Sequence, residues 1–189
     1  MDDALTAEEK QMLLRLARNA MECGVRGDDL PPVDLEAVPL HLREPGASFV
    51  TLTIRGELRG CIGSLEPAEP LALDVRERAV AAALEDPRFM PVRPEELGRI
   101  DIEISRLTLP TELDYSDASE LLQKLRPGVD GVILRDGGHR ATFLPQVWEK
   151  IPDAAAFLDQ LCAKMGVMPD TWRHRHLQVQ TYQVEEFHE

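Results

Sequence analysis

The hydrophobic pattern of the chain changes period several times, and each change predicts an element. Thr6-Ala7-Glu8-Glu9 reads as a capping box, and Met12, Leu13, Leu16, Ala17 and Ala20 then follow helical spacing. This predicts a first helix that stops near Gly24. From there to Ser48 the chain is proline-rich and irregular. Leu30, Val33, Leu35, Val38, Leu40 and Leu42 still make it a packed arm and not a free linker. Residues 48–55 and 57–62 read as a hairpin turning at Arg55-Gly56. Pro67 and Pro70 precede a helix from Leu71 to Leu84, which Asp86-Pro87 ends. Ile100, Ile102 and Ile104 alternate with Asp101, Glu103 and Ser105, the signature of a half-buried strand over 100–109.

The second half repeats this order. A short helix near 117–125 leads to a hairpin over 130–135 and 139–144, turning at Asp136-Gly137-Gly138. Asp153 caps a helix closed by Gly166, and a final strand runs from Leu177 towards Phe187. Hairpin, helix and late strand thus recur at an offset of roughly 80 residues, outside the short periods of solenoids. The expected fold class is α+β, in one compact domain of two interlocked units, about 1–110 and 111–189.

Length and charge narrow the function classes. A chain of 189 residues with 43% hydrophobic content can bury one sizeable core or two small ones. The net charge of -13 opposes phosphate backbones, so a broad nucleic-acid surface is disfavoured. No stretch approaches the roughly 18 apolar residues of a membrane span. The acidic start, Met1-Asp2-Asp3-Ala4, has no signal-peptide pattern, which gives the expectation of a cytoplasmic protein. Cys23, Cys61 and Cys162 are odd in number and far apart, so no disulfide framework is expected.

The candidate chemistry lies in Leu58-Arg59-Gly60-Cys61-Ile62-Gly63. Two glycines weaken a strand and mark a bulge, or a place where a backbone or ligand comes close. Regular alternation puts Glu57, Arg59 and Cys61 on one face, with Leu58, Gly60 and Ile62 on the other. An arginine beside a cysteine favours the reactive thiolate.

These residues resemble the AMMECR-type domain family, also called AmmeMemoRadiSam system protein A. The matching run is Phe49-Val50-Thr51-Leu52, Gly56 and the hexapeptide 58–63, followed by Asp86-Pro87-Arg88-Phe89 with Pro91-Val92, and Ile102-Glu103-Ile104-Ser105. Gly128-x-Asp130-Gly131, Leu144-Pro145-Gln146-Val147 and Phe157-Leu158-x-x-Leu161-Cys162-x-Lys164 extend it over nearly the whole chain. The chain departs from the commoner pattern at Met165-Gly166-Val167 and in the basic run Arg173-His174-Arg175-His176. The resemblance implies a duplicated unit of about three strands and two helices around a curved, largely antiparallel sheet. It carries no established activity, and it implies association with a Memo-type protein and a radical-SAM protein.

The candidate roles follow. Cys61 is the candidate nucleophile or ligand thiolate, against the alternative of a small packed residue. Its base would have to come through the fold, from His41 or His139. Arg59 and Arg88 are candidate anchors for a small anionic ligand, with Gly60, Gly63 and Gln146 lining the same pocket. The alternatives are an Arg59–Glu57 ion pair, an Asp86–Arg88 turn and a purely structural Gln146. No CxxC or HExxH spacing indicates a metal, and no Walker loop or GxGxxG indicates a nucleotide; the cofactor is unknown. Three functions compete: an enzyme or cofactor-handling protein for a small anionic substrate, a non-catalytic partner protein, and a nucleic-acid-binding regulator.

Overall fold

The structure is a computed structural model that describes residues 4–30 and 32–189. The acidic start Met1-Asp2-Asp3, and Pro31 of the irregular arm, lie outside the described residues. The chain divides into two compact units, one of residues 1–108 with 185–189, the other of residues 109–184.

The first unit begins with α1 (Ala7–Arg26). Its first turn closes as the capping box predicts: the Glu9 N–H donates to the Thr6 hydroxyl at 3.2 Å, and the Thr6 N–H donates to the Glu9 carboxylate at 2.8 Å. The helix does not stop at Gly24. It continues to Gly27, whose left-handed φ of 76° forms the cap. Gly24 is instead a packing position, because a Cβ there would stand 3.0 Å from Val80 of the second long helix.

After a single turn, α2 (Leu40–Arg43), come β1 (Pro45–Ile54) and β2 (Glu57–Gly63). Arg55 and Gly56 between them both have positive φ, as a two-residue turn matched to strand twist requires. The two-residue β3 (Glu69–Pro70) leads into α3 (Leu71–Leu84), then a 3-10 turn (Pro94–Arg99) and β4 (Ile100–Leu107). The strand order is β2-β1-β4, completed by β9 (Val184–His188) beside β4. Val50, Leu52, Ile102 and Ile104 bury one sheet face in a core with Leu13, Ala17 and Met21 of α1 and with Val75, Ala79 and Ala82 of α3. Two helices thus lie over one face of an antiparallel sheet, and Thr51, Cys61 and Glu103 belong to the other.

The second unit holds β5 (Thr111–Glu112), α4 (Ala118–Lys124), β6 (Gly131–Asp136), β7 (His139–Phe143), α5 (Ala154–Met165), α6 (Thr171–His174) and β8 (Gln178–Tyr182). Its strand order is β5-β8-β6-β7. Leu134 and Val179 of the sheet pack with Leu121, Phe157, Leu158 and Leu161, and Trp148 stacks on Phe157 at 3.7 Å between ring centres. The single final strand read from the sequence is two strands. The chain breaks at Gln183, so β8 joins the second sheet and β9 the first.

The fold is α+β with antiparallel sheets, as expected from the sequence. In each unit a hairpin is followed by a helix and a third strand, and that strand pairs with the first strand of the hairpin.

Candidate functional site

Strand β2 lies at the edge of its sheet, and a bulge shapes it. Leu52 faces Gly60, yet Thr53 faces Leu58, so Arg59 is an extra residue with no partner on β1. This corrects the expected alternation. Leu58 moves to the face of Thr53, opposite to that of Gly60, and is 43% exposed. Arg59 leaves the alternating pattern, and its guanidinium turns to the 3-10 turn. There it makes a two-pronged ion pair with Glu96, at 2.9 and 3.1 Å. The expected pairing with Glu57 is not the one formed. The Arg59 guanidinium holds the Glu96 carboxyl down at about 2, against a usual 4.5.

Cys61 keeps its place opposite Thr51, whose hydroxyl donates to the sulfur at 3.3 Å. Glu103 stands opposite Thr51 on β4, so thiol, hydroxyl and carboxylate form one row across three strands of the face away from the helices.

The open edge of β2 at Cys61 is closed by the turn that ends α3. The Cys61 N–H donates to Asp86 at 2.8 Å, and Arg88 donates to the Cys61 carbonyl at 3.3 Å. Arg88 also grips the buried Asp86 carboxylate through its Nε at 2.9 Å and its Nη2 at 2.6 Å. That pairing, with the Cys61 N–H, holds the Asp86 carboxyl far below the usual range. In turn Asp86 keeps the Arg88 guanidinium more firmly charged than usual, with smaller help from Cys61. The cation beside the cysteine is therefore Arg88, where the sequence suggested Arg59. Both guanidinia nevertheless approach the Phe89 ring, Arg59 at 6.0 Å and Arg88 at 5.6 Å from its centre.

Both glycines of the hexapeptide face protein. A Cβ on Gly60 would stand 2.1 Å from the Ala82 carbonyl oxygen of α3, and one on Gly63 would strike the Phe49 ring at 2.3 Å. The room they leave is taken by α3 and by an aromatic ring, so their structural task is close packing and not lining a pocket. Gln146 lies in the second unit, in the 3-10 turn Pro145–Glu149. His41 is paired with Glu9 at 3.0 Å, and His139 starts β7 of the second unit. Cys162 is fully buried in α5, and burial pushes its thiol up. Among the described residues no three His, Cys, Asp or Glu side chains come together as a metal-holding group, and no helix is long and apolar enough to cross a membrane.

Sequence reasoning missed Glu96, Thr51 and Glu103. Thr51 and Glu103 were legible once the strands were placed in register. Glu96 carried no signal, because its meeting with Arg59 depends on the bulge.

Comparison with known proteins places this chain in a family. The family model for AMMECR1 matches residues 14–187. The chain is 41% identical to a protein of Thermofilum pendens, over 97% of this chain and 91% of that one. It is 40% identical to a protein of Methanothermobacter thermautotrophicus, over 98% and 96%. A crystal structure of an uncharacterised protein from Pyrococcus horikoshii superposes with a TM-score of 0.78 at 34% identity, covering 98% of this chain and 93% of that one. The match takes in β1 to β4, the Asp86–Phe89 turn and the whole second unit, and the chain belongs to the AMMECR1 family, whose function is uncharacterised.

Proposed function

We propose that the protein handles a small anionic molecule, as an enzyme or a cofactor-handling protein, at the surface that Arg59, Cys61 and Arg88 build on the edge of β2. The observation that carries this reading is the convergence of two guanidinia on Phe89 beside a half-buried cysteine. Each arginine already holds a carboxylate, Arg59 that of Glu96 and Arg88 that of Asp86, which shows that both forks suit an anion. The Thr51 hydroxyl donates to the sulfur, Arg88 donates to the carbonyl of the same cysteine, and Glu103 supplies a carboxylate in the same row.

The test is the rate at which iodoacetamide alkylates Cys61 in the native protein at neutral pH, read residue by residue by mass spectrometry. The reading expects Cys61 to react in the folded state and Arg88→Ala to slow it several-fold. Reaction only on unfolding would make the cysteine a packing residue and end the reading.

A second reading has its own observation. Met90, next to Phe89, is 77% exposed, and Leu58 is also exposed on the same strand as Arg59. Methionine, aromatic and arginine side chains are enriched in protein interfaces. A Memo-type or radical-SAM partner docked here would be lost with Arg59→Glu and kept with Cys61→Ala. Co-purification of the wild type and the two variants with each partner decides it.

A further inference from the structure

An open depression of about 560 Å³ lies next to Arg59, between β2 and the Pro94–Arg99 turn. Arg59, Arg93 and Arg99 line it with Glu95 and Glu96, and Met90 and Pro91 add apolar surface. Three guanidinia thus face two carboxylates. Among the described residues, neither Arg93 nor Arg99 has a carboxylate within ion-pair distance; Glu96 pairs directly with Arg59, and Arg99 acts on that carboxylate only from farther off. The Glu96 carboxylate occupies both prongs of the Arg59 fork, the geometry a ligand carboxylate or phosphate would adopt.

We propose that this depression takes an acidic group carried on a small apolar body, and that Glu96 is a built-in competitor for Arg59 that the ligand displaces. This rests on the anion-handling reading above and names its seat. Arg93 and Arg99 supply the unpaired positive charge that draws the anion in. Met90 and Pro91 meet its apolar part, and Arg59 becomes the third contact when Glu96 yields. Glu96 keeps a second anchor, because it also accepts the Arg93 N–H at 2.8 Å. It can therefore release the arginine without the turn coming apart. Titration does not drive the release, since Arg59 keeps Glu96 ionised throughout the physiological range. The ligand must outcompete it.

The test is calorimetric titration of the full chain with phenyl phosphate, and with inorganic phosphate as the probe that lacks the apolar body. Glu96→Gln can keep the hydrogen bond to the Arg93 N–H through Oε2, loses the prong to Arg59 Nε, and removes the charge that competes for Arg59. It is expected to bind phenyl phosphate about tenfold more tightly than the wild type. Arg99→Ala, at an exposed position, is expected to weaken binding about tenfold. Inorganic phosphate should bind more weakly than phenyl phosphate to every form. Equal affinities of wild type and Glu96→Gln would overturn the competitor. Binding abolished by Arg88→Ala and unchanged by Arg99→Ala would place the anion beside Cys61, overturning the seat while leaving the anion-handling reading standing. No binding of either probe to wild type or Glu96→Gln would overturn both.

Discussion

The two hairpins of this protein solve the same problem with different side chains, and only one of them gathers a thiol with two paired arginines. In each unit the outer hairpin strand, β2 or β7, ends its sheet and leaves backbone groups to be satisfied. In each, the helix that follows the hairpin supplies the cover. For β7 it is Lys164, in the last turn of α5, which donates to the Thr142 carbonyl at 2.9 Å and lies over the Phe143 ring. For β2 it is the Asp86–Arg88 pair at the exit of α3. A lysine answers a carbonyl alone; a carboxylate and a guanidinium together answer both an N–H and a carbonyl.

The strands differ too. β6 and β7 pair in unbroken register from Val132–Phe143 to Asp136–His139. β2 slips by one residue at Arg59 and loses its side chains at Gly60 and Gly63. Charge and thiol accumulate where the ladder is interrupted, because an extra residue can turn its side chain out of the sheet.

The largest expected effect comes from the closest approach. Gly60→Ala forces a methyl onto the Ala82 carbonyl oxygen and should cost about 3 kcal/mol in urea unfolding. Gly138→Ala, in the turn of the second hairpin with open space around it, should stay within about 0.5 kcal/mol. Comparable losses from the two would dissolve the contrast between the hairpins.

Next in size is the edge cover. Asp86→Ala strands the Cys61 N–H and should cost about 2 kcal/mol in the same measurement. Lys164→Ala removes one bond from a half-buried carbonyl and should cost about 1 kcal/mol or less. A larger loss at Lys164 than at Asp86 would reverse the comparison.

Smaller still is the Arg59–Glu96 pair, and its sign with pH is definite. The folded-state Glu96 carboxyl is lowered to about 2 from 4.5, so its contribution is full above pH 4.5 and is lost as pH falls towards 2. Glu96→Gln should therefore be less stable than the wild type by about 1 kcal/mol at neutral pH. That gap should close on acidification over this window. A gap that widens in acid would contradict the pair.

Much of the frame was legible in the sequence because local signals and tertiary packing agree there. The capping box at Thr6, the Pro70 entry and Asp86-Pro87 exit of α3, and the isoleucine alternation of β4 all stand as read. The failures share one cause, contacts made across the chain. Gly24 has the composition of a helix stop, but Val80 needs its missing Cβ. The run from Leu177 to Phe187 looks continuous, yet its halves serve different sheets. At the site, Arg59, Cys61 and Arg88 were legible as residue types. Their partners were not, because a one-residue slip decides that Arg59 meets Glu96 and leaves Arg88 to Cys61.

The most direct measurement is iodoacetamide alkylation of Cys61 in the native wild-type protein and in Arg88→Ala, with Cys162 as the internal reference. If Arg88 and Cys61 work together at the edge of β2, Cys61 reacts in the folded wild type and several-fold more slowly in Arg88→Ala, and Cys162, buried in its helix core, stays unreactive in both. A Cys61 that reacts only on unfolding, or at the same rate in both forms, would contradict the account.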